Sequence, residues 1–215
     1  MALNPISVVL ADDHEMVRES LARVLEDSGR VTVKGQAYDG SSLLDKVQSE
    51  EPDCVILDYS MPDFDAAYTI EKLLNNHKNL KILVLTVHEN VHYAVRAFEA
   101  GAHGYMIKSA AVDELVEAIN KVSCGDVYVS PKVSQEVWSQ LRRPKKNRTG
   151  LEALSAREFD ALQHLGTGAS LQECAKKMKV TVSTVSTYRA RILEKLNLST
   201  TAELIRFVVE SGLDR

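Results

Sequence analysis

Short apolar runs alternate with amphipathic stretches through the first 125 residues. The run 6–11 (Ile-Ser-Val-Val-Leu-Ala) has strand length, and Met16, Val17, Leu21, Val24 and Leu25 then recur at helical spacing. Val31 to Gly35 reads as a second strand, followed by Leu43, Leu44 and Val47 on a helix. Residues 54–57 are continuously apolar, as in a strand covered on both faces, and Ile70, Leu73 and Leu74 mark the next helix. Lys81 to Leu85 is the fourth strand, before a helix carrying Ala94, Val95 and Phe98. Gly104 to Ile107 is a short fifth strand, and Leu115, Val116, Ile119 and Val122 lie on the last helix of the series. Such repetition predicts an α/β domain with a doubly wound, five-stranded parallel sheet.

After Ser130-Pro131 the pattern changes. Val133, Val137 and Leu141 fit a short helix with Trp138 partly exposed, and 142–150 is basic and without apolar periodicity, the composition of a linker. From 151 onward the pattern is all helical. Ser155 and Glu158 fit a capping box, ahead of Phe159, Leu162 and Leu165 and a stop at Gly166/Gly168. A second helix spans Ser170 to Met178, with Cys174, Ala175 and Met178 inward. A third spans Ser183 to Leu196, with Val185, Ile192, Leu193 and Leu196 inward. A fourth spans Ala202 to Val209. The expected division is 1–128, a linker 129–150, and a separate four-helix unit 151–215 containing a helix-turn-helix.

Charge sharpens this division. The net charge of −4 hides 11 basic against 21 acidic residues in 1–130 (−10), and 15 against 9 in 131–215 (+6). The basic half suits a polyanion. No apolar run reaches membrane-spanning length, and the first one meets Asp12-Asp13 with no basic residue before it, a poor signal peptide. Cys54, Cys124 and Cys174 are too scattered for a disulfide framework and read as reduced packing residues of a cytoplasmic protein.

Parallel α/β sheets place their chemistry beyond the carboxyl ends of the strands. Asp12-Asp13, Asp58, Thr86 and Lys108 all fall there. Three carboxylates in one place repel, so either one is protonated or a cation joins them. Oxygen ligands with open positions suit Mg2+. Lys108 and Thr86 could meet phosphoryl oxygens, an arrangement fit for covalent phosphorylation of a carboxylate.

These residues carry a resemblance. Ala11-Asp12-Asp13-His14, Leu57-Asp58-Tyr59-Ser60-Met61-Pro62, Thr86, and Tyr105 ahead of Lys108 together resemble a response-regulator receiver domain over about 5–125. The resemblance implies a flavodoxin-like fold of strand order 2-1-3-4-5, with Asp58 as phosphoacceptor. It further implies Mg2+ on Asp13, Asp58 and the Ser60 carbonyl, with Asp12 acting through a water. Thr86 and Lys108 would touch the phosphoryl group, and Tyr105 would be the aromatic that moves with it. The loop Asp63-Phe64-Asp65-Ala66-Ala67 departs from the pattern by lacking glycine, which implies a differently shaped loop. His14 reads as a loop residue.

Leu154-Ser155-Ala156-Arg157-Glu158, Gly168-Ala169-Ser170, Glu173-Cys174-Ala175 and the run 183–196 resemble the LuxR-type DNA-binding domain. The whole chain is therefore similar to a NarL/FixJ-type response regulator. Ser183, Thr184, Ser186, Thr187, Tyr188, Arg189 and Arg191 are the expected contacts of a recognition helix with double-stranded DNA, with Lys176, Lys177 and Lys179 beside it on the backbone. Ser186 and Tyr188 stand where many relatives carry Lys and His, so a relative's target sequence does not transfer.

The expected function is a transcription regulator switched by phosphorylation of Asp58, from a histidine kinase or a small phosphodonor. It would work as a homodimer, with no membrane and no conventional enzymatic turnover. The alternative is a DNA-binding regulator independent of phosphorylation. A haloacid-dehalogenase-like phosphatase is disfavoured because Ser60 stands where its second Asp belongs, and no P-loop run is present.

Overall fold

A computed structural model describes residues 5–61, 64–87, 89–109, 112–143 and 149–213. The chain divides into two compact units, one built mainly from residues up to 135 and the other from residue 136 onward.

The first unit is a parallel sheet with the order β2-β1-β3-β4-β5-β6. Its strands are β1 (Ile6–Ala11), β2 (Val31–Ala37), β3 (Cys54–Leu57), β4 (Lys81–Thr86), β5 (Gly104–Ile107) and β6 (Tyr128–Val129). Between them run α1 (Glu15–Asp27), α2 (Gly40–Glu50), α3 (Ala66–Asn76), α4 (Val91–Glu99) and α5 (Val112–Ser123). Five strands follow the order that the resemblance implied. The sixth is an addition: two residues are too few to show any period. They form because the free edge of β5 has unpaired groups. Tyr128 N–H donates to the His103 carbonyl at 3.2 Å and Ser130 N–H to the Tyr105 carbonyl at 2.9 Å. Ser130 Oγ accepts from Ile107 N–H at 3.1 Å.

Alternation decides which face each strand residue takes. Val8, Leu10, Ile56, Leu83, Leu85 and Met106 form one core cluster with Leu25 of α1 and Leu115, Ile119 and Val122 of α5. All four residues of β3 are buried, so the central strand is covered on both faces. Gly104 opens β5 in close packing: a Cβ there would lie 2.6 Å from Leu83 Cδ1 and 3.0 Å from Val122 Cγ2, so those side chains would have to shift.

The loop before α3 differs from expectation. Ala66 and Ala67 are the first, buried residues of that helix, not loop residues. Asp65 caps it, accepting from Tyr68 N–H at 2.8 Å. Neither alanine needs the left-handed conformation that glycine supplies; Asp63 lies outside the described residues.

α6 (Pro131–Leu141) runs across the division at 135, and the second unit continues with a 3-10 turn (Gly150–Ala153), α7 (Ala156–Gly166), α8 (Leu171–Lys177), α9 (Val182–Leu196) and α10 (Thr201–Glu210). Ser155, Ser170, Thr181 and Thr200 cap α7 to α10, and three of these caps are reciprocal boxes with Glu158, Glu173 and Glu203. Phe159, Leu162, Leu165, Cys174, Val185, Ile192, Leu204 and Val208 are buried. Leu196 is only half-buried. Gly166 does more than end α7: its Cβ would lie 2.5–2.7 Å from Val208 side-chain atoms, so α7 and α10 touch there almost backbone to side chain. Cys54 and Cys174 are buried, and burial pushes the Cys54 thiol up to about 12. Cys124 is exposed, so it is not the packing residue that the sequence suggested. No helix among the described residues is long and apolar enough to cross a membrane.

Candidate functional site

The carboxyl ends of β1, β3, β4 and β5 bring the predicted residues to one rim. Asp12 and Asp13 leave β1, Asp58 leaves β3, Thr86 ends β4 and Lys108 leaves β5. Neighbouring strands in a parallel sheet point the same way, so residues distant in sequence meet at one end.

Asp12 and Asp58 are each 4 % exposed. Lys108 Nζ lies between them, donating to Asp12 Oδ2 at 2.6 Å and to Asp58 Oδ2 at 2.7 Å. Burial alone would depress the Lys108 ammonium; its hydrogen bonds to Asp12 and Asp58 and their charges overcome this and raise it above the ordinary lysine range. The remaining oxygens are held by backbone: His14 N–H donates to Asp12 Oδ1 at 2.8 Å and Ser60 N–H to Asp58 Oδ1 at 3.0 Å. Ser60 Oγ is 3.5 Å from Thr86 Oγ1.

Asp13 is different. Its Oδ1 is buried without a hydrogen-bond partner. Donor atoms of Asp12, Asp13, His14 and Asp58 lie within 4.8 Å of one another. The carboxylates outnumber the Lys108 ammonium three to one. An orphaned buried carboxylate oxygen in an over-acidic pocket fits a hard divalent cation such as Mg2+.

Tyr105 is fully buried. Burial, then the neighbouring Tyr59, Tyr93 and Asp58, push its phenol above the ordinary tyrosine value. Tyr59, next to Asp58, stacks edge-to-face on Tyr93 of α4 with ring centroids 5.5 Å apart. An aromatic group thus joins the strand end that carries Asp58 to α4 and β5.

Sequence reasoning missed two residues of this rim. Arg18, one turn into α1, donates from Nη1 to the Asp12 carbonyl at 2.7 Å and from Nε to Gln36 Oε1 at 3.1 Å. It fixes the turn that presents the acidic pair. His14, read as a loop residue, has Nδ1 at 3.1 Å from Asp13 Oδ1 and 3.4 Å from Asp12 Oδ1. Adjacency to Asp12-Asp13 signals His14, whereas Arg18, six residues from Asp12, comes back to the pair only through the first turn of α1.

In the second unit, α8 and α9 are joined by a turn in which Lys179 adopts a left-handed φ of 54°. Along α9, Val185, Ile192 and Leu193 face inward. Ser183, Ser186, Thr187 and Arg191 are exposed, as are Lys176, Lys177 and Lys179. Thr184 and Tyr188 are half-buried. Arg189 lies off this exposed stripe: it is half-buried and donates from Nε to Thr201 Oγ1 of α10 at 2.8 Å.

Comparison with known proteins agrees with both halves. Residues 8–120 match the response regulator receiver domain family, and residues 152–208 match the luxR family of bacterial regulatory proteins. The chain is 35 % identical over 208 residues to the response regulator GacA of Pseudomonas viridiflava, covering 97 % of each chain. It is 32 % identical to the response regulator UvrY of Escherichia coli K12, covering 97 % of this chain and 95 % of that one. Among solved structures, RcsB of Salmonella typhimurium shares the fold with a TM-score of 0.76 at 24 % identity, over 97 % of this chain and 99 % of that one. A carboxylate rim on a parallel sheet, followed by a capped helix-turn-helix, therefore belongs to a member of the response-regulator family: a receiver domain joined to a LuxR-type DNA-binding domain.

Proposed function

We propose that Asp58 is the phosphoacceptor and that its phosphorylation controls how α9 grips double-stranded DNA. The observation that carries this reading is the position of Lys108 Nζ between Asp12 Oδ2 and Asp58 Oδ2, at 2.6 and 2.7 Å, where it can neutralise an incoming phosphoryl oxygen.

Asp13, Asp58 and the main-chain oxygen of Ser60 would hold Mg2+, with Asp12 acting through a water. When bound, the ion supplies positive charge to the phosphoryl oxygens. An Asp58 carboxylate oxygen attacks phosphorus of a histidine kinase's phosphohistidine or of a small acyl phosphate. A P–O bond forms to Asp58, the bond to the donor breaks, and the donor leaves with that electron pair. Lys108 and the Thr86 hydroxyl meet the transferred oxygens, and Tyr105 couples the change to the fourth and fifth strand–helix units. The protein turns over no substrate in the usual sense beyond catalysing its own phosphorylation and dephosphorylation.

The working division is a receiver domain 1–128, a linker 129–150 and a DNA-binding domain 151–215. The α9 surface of Ser183, Thr184, Ser186, Thr187, Tyr188 and Arg191 would enter the major groove. Lys176, Lys177 and Lys179 would meet phosphates, whereas Arg189, read from the sequence as a DNA contact, would brace α9 against α10 through Thr201. One small helix-turn-helix gives limited affinity, so a homodimer reads two half-sites. The chain acts in the cytoplasm, where its kinase partner and DNA are reached.

Incubation with acetyl phosphate and Mg2+, read by Phos-tag mobility and by footprinting, tests this. An Asp58-dependent shift with enhanced DNA protection is expected. Equal footprints for wild type and Asp58→Asn after phosphodonor treatment would reject the switch and leave a regulator independent of phosphorylation.

A further inference from the structure

We infer that His14 is a nitrogen ligand to the divalent ion held by Asp13 and Asp58, so that this pocket takes imidazole-preferring ions such as Ni2+ or Zn2+ far better than an all-oxygen site would. The inference rests on the reading that Asp13 and Asp58 hold a divalent cation.

Three observations lead to it. His14 contributes a donor atom to the cluster in which Asp12, Asp13 and Asp58 lie within 4.8 Å of one another. Its Nδ1 is 3.1 Å from Asp13 Oδ1, yet that oxygen has no hydrogen-bond partner, so the contact lacks the direction of an N–H···O bond. Adjacent ligands of an octahedral ion, each at about 2.0–2.1 Å, stand about 3 Å apart, which is the separation found. Finally, the ring is not committed to capping the helix it precedes. His14 is the N-cap residue of α1 but its side chain makes no capping bond, and it is 67 % exposed, so the ring can turn toward an ion.

Carboxylates and carbonyls suit Mg2+, whereas imidazole favours later first-row metals, whose affinities rise along the series from Mn2+ to Cu2+. A single imidazole beside two carboxylates would therefore change which metal the pocket holds while leaving the carboxylates available to Mg2+. The ordinary alternative is that His14 only pairs electrostatically with the two aspartates.

Mn2+ bound to the full chain should show a 14N coupling in pulsed EPR that disappears in His14→Ala. In calorimetry His14→Ala should lower Ni2+ affinity at this site by about 10-fold or more, the usual effect of losing a metal-site group, while Mg2+ affinity changes by less than about 3-fold. Asp13→Asn identifies the site-specific component of Ni2+ binding among the chain's other histidines. Absence of 14N coupling in the wild type, or equal losses of Ni2+ and Mg2+ affinity in His14→Ala, overturns the ligand role while the Asp13–Asp58 site stands. If Asp13→Asn weakens no metal at all, both readings fall.

Discussion

The carboxylate of Glu158, at the start of α7, accepts a hydrogen bond from Lys195 Nζ, near the end of α9, at 2.5 Å. The same carboxylate, 3 % exposed, closes the α7 capping box by accepting from Ser155 N–H at 2.8 Å. One side chain therefore fixes a helix start and ties it to α9, the helix that carries the exposed stripe of Ser183, Ser186, Thr187 and Arg191.

Its titration has a definite sign. Burial alone would raise the Glu158 carboxyl; hydrogen bonds from Lys195 and Ser155 outweigh it and hold the group below the ordinary glutamate range. A depressed carboxyl contributes stability above the unfolded value of about 4.3, lost as pH falls through the folded value. Glu158→Gln should cost about 1–2 kcal/mol near neutrality, less than a fully buried pair because Lys195 is one-third exposed, and the gap from wild type should close toward pH 3. Chemical denaturation monitored on the helical unit across pH 3–7 checks this; a pH-independent difference would contradict it.

Gly166 predicts a packing defect. A Cβ there meets Val208 at 2.5–2.7 Å, so Gly166→Ala should lower stability by about 1–3 kcal/mol despite alanine's better helix propensity. Val208→Ala in the same chain should recover part of that loss. Thermal melts of the two single variants and the double variant decide it, and simple additivity would show that the two residues do not clash.

Arg191 and Arg189 should separate in DNA binding. Arg191 is exposed on the α9 stripe, whereas Arg189 is held by Thr201. If Arg191 meets a phosphate, Arg191→Ala should shrink the salt-dependence slope by about one unit. Arg189→Ala should instead cost about 1 kcal/mol of stability, matched by Thr201→Val, because a side-chain hydrogen bond between α9 and α10 is lost. Binding isotherms at several salt concentrations, paired with melts, distinguish the two.

Lys108→Met removes the cation between Asp12 and Asp58. Phosphorylation from acetyl phosphate should fall by 10-fold or more, since one fixed donor at a charged transition state is worth about 3 kcal/mol. The ammonium is raised in the folded chain, so its contribution to stability is complete below the unfolded value of about 10.4 and lost as pH rises through the folded one. Wild-type stability should therefore decline above pH 10.5 more steeply than that of Lys108→Met, measured by denaturant titration.

Much of the receiver half was legible because periodicity and strand-end chemistry are local signals. Asp12, Asp58, Thr86 and Lys108 each follow an apolar run, and a parallel sheet sends all such positions to one rim. β6 escaped detection because two residues carry no period, and its pairing depends on an edge that exists only once β5 is placed. Ala66 and Ala67 belong to α3 and not to the loop because the Asp65 side chain caps the helix at Tyr68 N–H, a contact that the absence of glycine does not signal.

By itself the sequence determined the alternation of elements, the acidic and basic halves, the caps at Ser155 and Glu158, and which residue types reach the sheet rim. These follow from side-chain period and backbone chemistry within a few residues. Only the tertiary structure decided that Lys108 sits between two carboxylates 50 and 96 residues away, that Lys195 answers Glu158, that Gly166 makes room for Val208, and that Arg189 turns to Thr201 instead of outward. Each is a meeting of side chains across elements, and distance in space between such residues is set by packing, which no local pattern encodes.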